Sequence, residues 1–218
     1  MGIRILMVLA VAGVLVLGAL AWRRSRTPTA NITSIDPKSI LFSLPTLCDQ
    51  LPPLLPGVPQ LPPGAYRLHE DDWRQVEFVS APDRAIAEKE LGELRNFKMA
   101  NQVGQAWKAV YVRKSRSGAI LSSRVPFARV VEIVNSQPVG PLFLDTMGAP
   151  AQVQGGFVLR LSPDAVLYGF QQDGVVVSLN LDGCGNGPYP KAPLSQLCRE
   201  FKLVLVDWYH TTIFESSE

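Results

Sequence analysis

The chain has 218 residues, 18% of them charged and 47% hydrophobic, which fits a packed globular body and excludes a disordered chain. Its 21 Lys and Arg against 19 Asp and Glu give +2, but Arg4, Arg23, Arg24 and Arg26 precede the first acidic residue, so the rest stands at 17 basic against 19 acidic. That excludes the broad positive surface a nucleic acid needs, while three Cys and two His are too few for a disulfide scaffold or an all-histidine metal site.

Residues 5–22 are 18 consecutive positions without a charge or a strongly polar group. As a helix at ~1.5 Å per residue they reach about 27 Å, close to the hydrocarbon thickness of a bilayer. Residues 1–26 therefore read as a single-pass transmembrane anchor, with Trp22 and the following arginines at its lipid–water border. A cleavable secretory signal is the competing reading, since Arg4, the apolar run and Ala19-Leu20-Ala21 supply its three parts. The flanking arginines slightly favour a cytoplasmic body. The cysteines favour the opposite side, and a periplasmic or extracytoplasmic body is expected.

Nine of the 18 prolines fall between Pro28 and Pro63. Proline fixes φ and biases its predecessor to extended geometry, so residues 27–63 read as a Pro-rich linker. Against a bare spacer stand Leu47, Leu51, Leu54 and Leu55, which are costly to leave wet. Asp36 ahead of Pro37 suggests one short helix ending near Phe42.

Residues 64–218 are long enough for one domain with its own core. The alternation of residues 73–79 predicts a strand, and Ser80 with Pro82 and Asp83 predicts the start of a helix running to about Ala100. Ala87, Leu91, Leu94 and Phe97 form its buried stripe. Strands are then expected at 107–113, at the β-branched 127–134 and around 157–161. Residues 165–171 and 175–182 flank Gln172-Asp173-Gly174, the strongest hairpin signal in the chain, with Val175, Val177, Leu179 and Leu181 on one face. A segment at 193–200 precedes a last strand from Phe201 to Asp207 that could run on to Phe214. The expected fold is α+β: one mostly antiparallel β-rich domain with one main helix packed on the sheet.

Candidate chemistry is sparse. Cys184, in a glycine-rich loop, and Cys198 can close a disulfide around about 15 residues, worth ~3 kcal/mol in an oxidising compartment. Two buried thiols are the alternative. Asp182, Asn186 and Gly187 match part of a calcium loop, but Cys184 and Pro193 stand where oxygen ligands are required. His69 with Asp72, and Asp207 with His210, would form a hydrolytic general acid–base set if the two segments converged. Lys108, Arg113, Lys114, Arg116 and Arg124 make a basic run, suited to an acidic partner or lipid headgroups or, more simply, to a solvated hairpin edge. Nucleotide-binding and nucleophile-elbow motifs are missing, and no cofactor or metal is implied. The reading is therefore a membrane-anchored interaction protein that binds a protein partner and the bilayer. The alternative is a membrane-bound hydrolase.

Overall fold

The computed structural model describes residues 40–57, 60–114, 125–147, 149–183 and 190–214. They belong to a compact unit, Ile40–Glu218, that starts upstream of the Gly64 expected from composition. The reason lies in backbone pairing: Thr46–Cys48 (β1) runs parallel to Tyr111–Arg113 (β6), and Leu55 N–H donates to Gln152 O at 2.8 Å. Of the leucines in the Pro-rich stretch, Leu47 and Leu54 are partly covered by the body, whereas Leu51 and Leu55 stand exposed. The expected anchor, residues 5–22, and most of the short helix before Phe42 lie outside the described residues; among the described ones no helix is long and apolar enough to cross a membrane.

The remaining elements follow in order: Tyr66–His69 (β2), Val76–Ser80 (β3), Arg84–Asn101 (α1), Gln102–Val103 (β4), Ala106–Trp107 (β5), Phe127–Val134 (α2), Leu142–Asp145 (β7), Pro150–Gln152 (β8), Gly156–Ser162 (β9), Ala165–Gln172 (β10), Val175–Asp182 (β11), Lys191–Phe201 (α3), Leu203–Asp207 (β12) and Thr212–Phe214 (β13). Six strands form one antiparallel sheet in the order β13-β12-β3-β11-β10-β9. A three-stranded sheet β2-β7-β8 is parallel at β2–β7 and antiparallel at β7–β8. The fold is mixed α+β with mostly antiparallel sheets.

Alternation along the strands gives the large sheet two buried faces. On one, Phe78, Leu159, Leu167, Leu179 and Leu205 pack against Val130 and Ile133 of α2 and Leu194, Leu197 and Phe201 of α3. On the other, Val79 and Val206 meet Ala87, Leu91 and Leu94 of α1, while Val158, Val166 and Tyr168 meet Leu68, Leu142, Leu144 and Trp73. The main helix thus uses the expected stripe. Each such side chain taken from water contributes about 1.5–3 kcal/mol.

Three local expectations need correction. Residues 127–134 are helix, not strand. Val130 and Ile133 at i, i+3 supply a buried stripe, and Asn135 at φ 52° closes the last turn in the left-handed conformation. Residues 107–113 split into two short strands, because Trp107 pairs with Phe42 and Gln102 while Tyr111–Arg113 pair with β1. Finally, the hairpin turns at Asp173 and Gly174, both at positive φ, but its register shifts between Phe170↔Ser178 and Gln171↔Val176. The extra residue, Val177, reverses the alternation. Val176, Leu179 and Leu181 join the helix side, and Ser178, Asn180 and Asp182 face the other.

Candidate functional site

Asp207 ends β12 with 3% of its surface exposed. The turn that follows folds back so that Asp207 Oδ1 accepts the His210 N–H at 2.8 Å and Oδ2 lies 2.7 Å from His210 Nδ1. The end of α1 holds this turn: Lys98 Nζ donates to Tyr209 O at 2.6 Å and Arg95 Nη2 to Thr211 O at 2.9 Å. Burial pulls the Lys98 ammonium below its usual range, with Asp207 opposing. The half-exposed His210 ring is therefore oriented by a buried carboxylate, an arrangement that can move a proton at Nε2.

The other candidate pair stands at the end of β2. His69 Nδ1 accepts the Asp71 N–H at 3.2 Å, within the short turn Glu70–Asp72. Asp72 lies beside Asp182, on the last residue of β11, and its carboxyl is raised above the ordinary value by burial and then by Asp182. Tyr66 donates its hydroxyl to Asp182 Oδ2 at 2.5 Å, and burial together with that bond pushes the phenol far up. The structure thus brings Asp207 to His210 and sets His69 and Asp72 beside Asp71 and Asp182. The imidazole of His69 engages Asp71 and that of His210 engages Asp207, so each bonds within its own segment.

A third cluster escaped the sequence reading. Glu77, on β3 and 3% exposed, accepts Arg74 Nε at Oε2 (2.5 Å) and Trp208 Nε1 at Oε1 (2.8 Å), with Arg113 Nη1 3.5 Å away. Arg113, equally buried, also donates to Thr46 Oγ1 at 3.1 Å and Arg74 O at 2.9 Å. Its guanidinium carbon stands 4.9 Å from the centroid of the Trp208 ring. Burial lowers Arg113 while Glu77 opposes that; burial also works against Arg74, but there Glu77 prevails and holds it raised. The group ties β1, β3, β6 and the end of β12 together. Arg113, read from sequence as part of a surface run, is interior, and Arg116 and Arg124 lie outside the described residues.

Two side-chain oxygens near this cluster, Gln75 Oε1 and Asn180 Oδ1, are buried without a partner; Asn180 sits opposite Glu77 in the sheet. Cys198 is buried on α3, where burial pushes its thiol up to about 11. Its expected disulfide partner Cys184 lies outside the described residues, as do Asn186 and Gly187 of the tested calcium loop. Among the described residues no group of three or more His, Cys, Asp or Glu is placed to hold a metal. An open groove of about 380 Å³ runs between Pro53 and the β10–β11 turn, lined by Phe170 and by Gln154, Gln172 and Asp173. Comparison with protein-family models, with curated proteins and with solved structures finds no match.

Proposed function

We propose that the chain is a single-pass, membrane-anchored protein whose extracytoplasmic body works by binding another protein, as a toxin-neutralising immunity-type inhibitor or an envelope assembly factor. The observation that carries this reading is the 18-residue apolar run, closed by Trp22 and three arginines, ahead of a compact body. The chemistry of the body supports it: Glu77, Arg74 and Arg113 hold strands together, while large apolar side chains such as Leu41 and Met99 stand exposed. The test is a pull-down of the full chain with the product of a neighbouring toxin-like reading frame. Retention of that product and protection of the cell are expected; failure of both removes the immunity role.

One observation favours a second reading, a membrane-bound hydrolase. His210 Nδ1 lies 2.7 Å from a buried carboxylate, the orientation a general base requires. Replacing His69 and His210 together by alanine discriminates: a binder keeps its phenotype and a hydrolase loses it. Labelling intact cells with a membrane-impermeant thiol reagent, with and without reductant, reports the side on which Cys48 lies.

A further inference from the structure

The described residues leave ten large apolar side chains exposed, and five of them, Ile40, Leu41, Phe42, Met99 and Val103, lie on the segments that meet at Trp107. The extended stretch at Phe42 joins β5 through Phe42 N–H to Trp107 O (2.8 Å) and Trp107 N–H to Phe42 O (3.0 Å), and β5 in turn pairs with β4 at Val103↔Ala106. Trp107 points inward and is 5% exposed, so strand alternation turns Leu41, Val103 and Lys108 outward, while Ile40 and Phe42 share Trp107's face yet stay 47% and 40% exposed. Met99 stands on the last turn of α1, 74% exposed. The charges carried by these segments themselves have one sign. From Arg95 to Lys114 there is no acidic residue, and residues 40–48 carry no charge at all. Arg113 is interior, which leaves Lys108 on the outward face and, at the end of α1, Arg95 and Lys98, whose side chains bond the carbonyls of the turn after β12, with Asp207 buried beside Lys98.

Exposed apolar side chains beside cations match a membrane surface of anionic lipid, where the first enter the headgroup–acyl boundary and the second meet phosphates. Chain connectivity favours lipid over a protein partner. Residues 23–39, 17 in number, lead from the apolar run directly into Ile40. Even fully extended they span no more than about 60 Å, so encounter with the bilayer is intramolecular. We propose that this patch is a second, reversible membrane contact that seats the body on anionic lipid. The inference rests on the anchored reading given above.

The test uses the full chain reconstituted in vesicles of phosphatidylcholine alone or with a third of phosphatidylglycerol, and reads amide hydrogen exchange over residues 40–43 and 102–108. Carbonate extraction is run on the same vesicles. The expected result is a carbonate-resistant protein whose exchange there slows by about fivefold or more on the anionic vesicles, the change one lysine near the surface produces. Lys108→Glu, at an exposed site, should remove most of that difference. A carbonate-resistant protein with equal exchange on both vesicles overturns the patch and leaves the anchor standing. Protection that appears only when a partner protein is added also overturns it, in favour of a protein interface. Release by carbonate overturns the anchored reading, and the patch with it.

Discussion

Glu77 shows how a single residue can decide the packing of four strands. Its carboxylate faces Arg74, Arg113 and the Trp208 indole where almost no water reaches, so the desolvation of three charges is offset only by their mutual attraction and by well-placed hydrogen bonds. Glu77→Leu would leave both guanidinium groups facing an aliphatic side chain. The expected loss is about 3–5 kcal/mol by urea denaturation, against about 1 kcal/mol for Trp208→Phe, which removes one hydrogen bond. A Glu77→Leu loss no larger than that of Trp208→Phe would mean that the arginines find other partners. None of this was legible in the sequence. Glu77 meets Arg113 across 36 positions and Trp208 across 131, and a charged residue in an alternating strand reads as solvent-facing until the layer above it is known. The contact between Asp207 and His210, by contrast, joins residues three apart in the chain.

At the scale of elements, success followed the range of the interaction that sets the structure. The β10–β11 turn was legible because Asp173 and Gly174 supply the two positive φ angles such a hairpin demands, a requirement met within two residues. Helix α1 was legible from Ala87, Leu91 and Leu94, whose spacing forms one face. By contrast, α2 has a β-branched composition that local propensity assigns to strand, and only packing against the large sheet makes it helical. Two glycines test these elements with opposite signs. At Gly92, in the middle of α1, an added Cβ meets nothing within 4 Å, so Gly92→Ala should stabilise by ~1 kcal/mol through helix propensity. At Gly169, on β10, the same Cβ would lie 1.8 Å from Ser178 O, so Gly169→Ala must part the central β10–β11 pair. Thermal denaturation of both variants should move in opposite directions; a lower midpoint for Gly92→Ala, or an unchanged one for Gly169→Ala, would contradict these packing arguments.

The body is organised around a sheet buried on both faces, and among the described residues the buried side chains of three apolar clusters lie between Leu68 and Trp208, with Cys48, Leu54, Ile213 and Phe214 packed against them. Every side chain described in those clusters belongs to the unit that begins at Ile40, so, on the anchored reading, folding and membrane attachment should be separable. A chain shortened to begin at Ile40 tests this directly, because the first backbone pairing among the described residues is at Phe42. For a body of this size a loss of 1 kcal/mol lowers the thermal midpoint by roughly 2–4 °C, so the shortened and full-length proteins, melted in the same detergent, should agree within about 2 °C. Fractionation should differ sharply. The full chain is expected to resist carbonate, whereas the shortened one should leave the membrane once salt at about 0.5 M screens the attraction between its lysines and the lipid headgroups. At low salt the shortened chain should retain a weak affinity for anionic vesicles, since one interfacial contact without an anchor holds only marginally. A shortened protein that melts many degrees lower would place part of the body's stability upstream of Ile40. One that stays with the membrane through salt and carbonate would locate attachment in the body itself, and the apolar run would then need a different role.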